Sequence, residues 1–131
     1  MTDSRQVFVR TMRVLSAIVL FAIAGIHLFL VFDGVGGVLG VSFVLNAVAG
    51  VVLGIGMLAL HGTLLRVAAV LSLLFIIGTM LALILALTVG LFGIRETWGF
   101  TLVPQTVVVE SIGIVVVGLT LAAALGRPRT A

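Results

Sequence analysis

The chain has 131 residues, of which 63% are hydrophobic and only 8% charged, with a mean hydropathy of +1.50. A water-soluble domain of this size needs a charged surface and cannot hide so much apolar side chain, whereas a bilayer accepts it. The pI of about 11.6 comes from arginines clustered near the two ends, with no lysine, which suits topology and headgroup contact rather than nucleic acid.

Four apolar segments follow one another, approximately 14–32, 38–60, 64–91 and 104–125. Each reaches the roughly 20 residues a membrane-spanning helix needs, and none alternates polar and apolar residues as a barrel strand would. The expected architecture is all-α: one transmembrane domain over 1–131, an integral membrane four-helix bundle. The first segment opens after Arg5, Arg10 and Arg13 and ends at Asp33-Gly34. Its Ala22-Ile23-Ala24 imitates a signal-peptide cleavage site, but the apolar run continues to Phe32, which suits a spanning helix better. Gly34, Gly62 and Gly126 are expected to close helices in the left-handed conformation, Thr63 to cap the third, and Pro104 to occupy the first turn of the fourth.

Six of the seven arginines fall on one side if the helices alternate, with only Arg95 on the other. The positive-inside rule then places both termini in the cytoplasm of a bacterium and the 92–103 loop outside its plasma membrane. Trp98 and Phe100 in that loop read as interfacial anchors.

Two lines of small residues are candidates for helix packing. The second helix carries Ser42, Asn46, Gly50 and Gly54 at four-residue spacing, and the third carries Gly78, Ala82, Ala86 and Gly90. Small residues so placed let membrane helices approach closely, within one bundle or between subunits.

Three polar residues interrupt the apolar pattern: His27 in the first helix, Asn46 in the second and Glu110 in the fourth. Counted at 1.5 Å per residue, each sits roughly 8–12 Å from the same face of the bilayer. Intramembrane ionisable groups are costly and normally turn inward to find partners. His27 and Glu110 are natural partners, and Asn46 can complete a network with its amide. Ser16, Leu20, Ile23 and Ala24 share a face with His27, while Thr106, Gly113 and Val117 share one with Glu110. Such a cluster serves either as a clip fixing helix register or as a site for a proton, ion, lipid or small ligand.

Specific chemistries fit poorly. The absence of cysteine excludes disulfides, thiolate metal sites and thiol redox chemistry. The other histidine, His61, lies near the opposite face, so two histidines cannot share a haem, and zinc would lack ligands at the depth of His27. No nucleotide loop or catalytic triad is present, and Arg95-Glu96 reads as a solvated loop pair. No enzyme activity, metal or cofactor is expected.

Ala24-Gly25-Ile26-His27-Leu28, Leu45-Asn46-Ala47-Val48-Ala49-Gly50 and Thr88-Val89-Gly90-Leu91-Phe92-Gly93-Ile94-Arg95-Glu96-Thr97 resemble a group of small four-helix integral membrane proteins of high-GC actinobacteria. The Val109-Glu110 start of the last helix is similar as well. The resemblance covers most of the chain and implies an architecture and no activity. The expected function is a non-enzymatic accessory or scaffold subunit of a larger membrane assembly, with the bilayer and other subunits or further copies as partners. The alternative is a small membrane carrier or binding protein for a proton-coupled or lipid-like ligand, built on His27, Asn46 and Glu110.

Overall fold

Long uninterrupted apolar runs satisfy their backbone hydrogen bonds internally only as helices, and four helices form: α1 (Asp3–Phe32), α2 (Gly37–Ala59), α3 (Gly62–Thr88) and α4 (Val103–Leu125). The structure is a computed structural model and describes residues 3–126. All four helices are long and apolar enough to cross a membrane. α1 begins well before the apolar run, because its arginine-bearing N-terminal turns continue the same helix. α3 stops at Thr88, short of the expected 91, where the chain turns through Gly90 at φ +97°.

The helices pack as a ring in which α1 touches α2 and α4, and α3 touches α4 and, least extensively, α2. The core is made by Ala17, Leu20, Ile23, Met57, Leu65, Ala69, Ile76 and Val117. Large apolar side chains such as Ile18, Val48, Val52, Leu71, Leu81 and Val115 point outward.

Close approach depends on two glycines. A Cβ at Gly50 would lie 3.0 Å from both the Ala24 Cβ and the Leu20 carbonyl oxygen of α1. A Cβ at Gly113 would lie 2.6 Å from Val19 Cγ1 and 3.1 Å from Ile76 Cδ1. Gly54 carries the ring of Phe21 on its face. The α2 line meets α1 in its second half, at Gly50 and Gly54.

The α3 line differs. Gly78 is exposed, nothing lies within 4 Å of a Cβ built on it, and Gly78, Ala82 and Ala86 all line a cavity. Here α3 leans away from α2, so its small side chains leave a hollow instead of admitting a neighbour. Two cap assignments also change. His61 rather than Thr63 precedes the first turn of α3, with Gly62 at φ +60° inside that turn rather than closing α2, and Gly126 is not left-handed, its φ being −61°. Gly34, at φ +106°, does follow the end of α1, and Pro104 lies in the first turn of α4.

The arginines cap helix ends. Arg13 Nε donates to the Met57 carbonyl at 2.8 Å, and its Nη2 donates to Leu58 at 3.1 Å and Leu60 at 2.6 Å. Arg5 donates to the Ala123 and Gly126 carbonyls, Arg66 to Ala124 at 3.1 Å, and Arg95 to Thr88. Helix C-termini leave carbonyls without intrahelical partners and carry the negative end of the dipole. Guanidinium groups answer both needs at the ends of α2, α3 and α4. Arg127 and Arg129 lie outside the described residues.

Gly50→Leu should destabilise the bundle by about 1–3 kcal/mol through overpacking, whereas Gly118→Leu, whose Cβ meets nothing within 4 Å, should be tolerated. Thermal unfolding in detergent reads the difference, and equal tolerance would mean that α1 and α2 are not in contact at Gly50. Arg13→Ala should cost about 1–3 kcal/mol by stranding carbonyls at the end of α2. Arg13→Lys should recover only part, since an ammonium has no planar fork. Loss at exposed Arg10→Ala as large as at Arg13→Ala would refute the capping role.

Candidate functional site

α2 and α3 leave a tight turn at Leu60-His61 with their first turns packed through Met57, Leu65 and Ala68, and then diverge. The gap widens into a cavity of about 490 Å³, toward the end of the bundle that carries Arg95. Its walls are α2 from Leu39 to Ala49 and α3 from Leu74 to Ala86. α1 contributes His27 and Leu30, α4 contributes Thr106 and Glu110, and the connection after α3 covers the end with Leu91, Phe92, Glu96 and Phe100.

All three polar residues singled out in the sequence line this one cavity. Their partners are not those expected. Among the described residues no hydrogen bond or ion pair joins His27 to Glu110. Instead Thr79 of α3 stands between α2 and α4: the Asn46 Nδ2 donates to Thr79 Oγ1 at 3.1 Å, and Thr79 Oγ1 donates to Glu110 Oε1 at 2.9 Å. A hydroxyl is suited to this place because it donates and accepts at once. Three helices are thus joined by two hydrogen bonds in series, at the level where α2 and α3 have separated.

His27 is held differently. Its Nδ1–H donates to the Ile23 carbonyl one turn back at 2.8 Å, and its ring meets Phe43 edge-on with centroids 5.0 Å apart and planes at 80°. The neutral imidazole then carries its lone pair on Nε2, since Nδ1 is already the donor.

Glu110 is 0% exposed, and its Oε2 has no hydrogen-bond partner; nor has Asn46 Oδ1. Buried polar atoms are paired in the great majority of cases, so two acceptors left open beside one cavity mark a functional region. The faces inferred from sequence agree with burial. Ser16, Leu20, Ile23 and Ala24 are buried with His27, and Thr106, Gly113 and Val117 with Glu110. Toward the opposite end, Ser16 and Thr120 form a separate buried pair between α1 and α4 at 2.9 Å, and Thr120 also donates to the Met12 carbonyl at 3.2 Å.

The covering connection is ordered by its own backbone. Leu91 and Ile94 exchange two hydrogen bonds, of 2.8 and 2.9 Å, around Phe92 and Gly93, both at positive φ. The Glu96 N–H donates to the Ala86 carbonyl at 2.9 Å, fastening the connection onto α3. Partial burial pushes the Glu96 carboxyl above its usual range. Trp98 is 61% exposed, as an interfacial anchor would be. Phe100 lines the cavity instead of serving only as an anchor. Thr79 and Glu96 were missed because a lone threonine in an apolar helix reads as unremarkable and a loop glutamate beside an arginine reads as solvated.

Compared with known protein families, with curated proteins and with solved structures, the chain finds no match.

Thr79→Val removes both hydrogen bonds and leaves Asn46 and Glu110 unpaired, at an expected cost of about 1–3 kcal/mol. Combined with Glu110→Ala it should fall short of additivity by about 0.5 kcal/mol or more, whereas His27→Ala and Glu110→Ala should add to within about 0.5 kcal/mol. Unfolding of the single and double variants in detergent reads both cycles. Strong coupling of His27 to Glu110, with none of Thr79 to Glu110, would reverse the assignment.

Proposed function

We propose that this chain is a small, non-enzymatic membrane protein that binds or carries a lipid-like molecule in the space between α2 and α3. The observation that carries the reading is the 490 Å³ cavity with a wholly buried carboxyl and an amide at its wall. Its volume falls within the roughly 300–1,000 Å³ of small-molecule sites, whose walls are mainly apolar with a few placed polar groups. Leu39, Phe43, Leu74, Phe75 and Leu83 supply the apolar part, and Asn46, Thr79 and Glu110 the polar part.

Insertion in a bacterial plasma membrane with both termini cytoplasmic completes the proposal. The support is four helices of spanning length and the placement of Arg5, Arg10, Arg13 and Arg66 at one end. The cavity then lies in the outer leaflet and opens between two helices toward lipid, a natural entry for a molecule already dissolved in the bilayer.

The reading as an accessory subunit has one observation in its favour. The same gap between α2 and α3 has the position a partner's helix would need in order to complete the wall.

Native mass spectrometry of the protein released from membranes separates the two. A bound small molecule should be present on the wild type and lost from Gly78→Leu, which places bulk in the hollow where nothing obstructs it, with thermal stability unchanged. A wild-type protein that carries no small molecule and instead retains a stoichiometric membrane partner would replace this proposal with the accessory role.

A further inference from the structure

The hydrogen-bonding inventory of the cavity wall restricts its occupant. Two buried positions beside the cavity are acceptors without a partner, Glu110 Oε2 and Asn46 Oδ1, and the His27 ring in its neutral form offers Nε2 once Nδ1–H is bound to Ile23. Three of the hydroxyl donors on the helical walls are engaged, as is one N–H of the Asn46 amide. The Thr79 hydroxyl proton goes to Glu110, that of Ser42 to the Val38 carbonyl at 2.8 Å, and that of Thr106 to the Leu102 carbonyl at 2.7 Å. The Glu96 backbone N–H is engaged by Ala86.

Charge points the same way. Two carboxyl groups line the cavity, Glu110 at its wall and Glu96 in the covering connection. Among the described residues no arginine lines it, and the chain has no lysine. A phosphate or carboxylate headgroup would set acceptor against acceptor with no cation to answer it. Aromatic rings at Phe43, Phe75, Phe92 and Phe100 add faces of negative potential around the same space.

Resting on the binding reading above, we propose that the occupant is an apolar amine. Its ammonium N–H groups donate to Glu110 Oε2 and Asn46 Oδ1, and its hydrocarbon body lies between α2 and α3. Three donors on one small charged nitrogen suit two unpaired acceptors, one on α2 and one on α4, that share Thr79 as their other partner. Glu96 in the cover attracts the same charge, so the approach and the seat discriminate alike. A neutral alcohol meets one acceptor at most, and a quaternary ammonium carries the charge with no N–H to give.

The test uses the full chain in phosphatidylcholine nanodiscs and four probes sharing a dodecyl chain: dodecylamine, dodecyltrimethylammonium, dodecanol and dodecanoate. Change in Trp98 fluorescence follows binding, and Gly78→Leu in identical nanodiscs subtracts partition into lipid. The amine should bind saturably, with the trimethylammonium and the alcohol weaker by roughly tenfold or more and the acid not bound. Glu110→Gln keeps an oxygen for Thr79 but loses the charge, and should weaken the amine roughly tenfold while leaving the alcohol unchanged.

Equal binding of amine and alcohol, or an amine indifferent to Glu110→Gln, would overturn the amine assignment and leave the binding reading standing. So would binding of the acid at least as tight as the amine. If no probe distinguishes wild type from Gly78→Leu, the binding reading itself falls, and the amine assignment with it.

Discussion

The hydrogen bond from Thr79 to Glu110 is the constraint on which the upper half of the bundle depends. A carboxyl group with no exposure is expensive to place among apolar helices, and it persists only where a partner is provided. Thr79 is that partner, and because its oxygen also accepts from Asn46, satisfying Glu110 fixes α2 and α4 relative to α3. The register of three helices thus follows from one hydroxyl. The arrangement stays incomplete, since Glu110 and Asn46 each keep a buried acceptor without a partner. A fold that needed only a clip had a cheaper one within its own repertoire, the Ser16–Thr120 pair between α1 and α4.

The two ends of the bundle contrast. At the arginine-rich end, Arg5, Arg13 and Arg66 tie helix C-termini to neighbouring helices, and α2 and α3 are held together by a short turn and the core around Met57 and Ala68. At the other end α2 and α3 part, and the space is lined on α3 by Gly78, Ala82 and Ala86 among larger apolar residues and covered by a connection with residues in strained backbone at Phe92 and Leu102. Stability is concentrated where the guanidinium groups are, and the room for a ligand where they are absent.

Helix number, the faces of α1 and α4, and the gathering of His27, Asn46 and Glu110 in one part of the bundle were legible in the sequence, because the period of a helix and its rise per residue are fixed by backbone geometry. Partnership was not. Two titratable residues at one depth invite pairing on charge alone, yet His27 turns back to its own helix, as an Nδ1–H one turn from a carbonyl readily does. Thr79, the residue that makes the connection, differs from its neighbours only by a hydroxyl. The α3 stripe shows a second limit. Gly78, Ala82 and Ala86 have the spacing of a packing face, but small residues permit close approach without enforcing it, and whether they meet a helix or border a void is decided by the tilt of the next helix.

α2 and α3 are separated at the level of Asn46 and Thr79 and held there by one hydrogen-bonded relay, while α1 and α2 are in direct contact. With no native cysteine in the chain, spin labels can be placed in pairs on exposed positions, such as Val48 with Leu71 on α2 and α3 and Ile18 with Val52 on α1 and α2. Pulsed dipolar distances in nanodiscs should give a narrow α1–α2 distribution that Thr79→Val leaves unchanged, and an α2–α3 distribution that broadens or shifts in the same variant. An α2–α3 distribution as narrow as the α1–α2 one, and unmoved by loss of the Thr79 hydroxyl, would contradict the account.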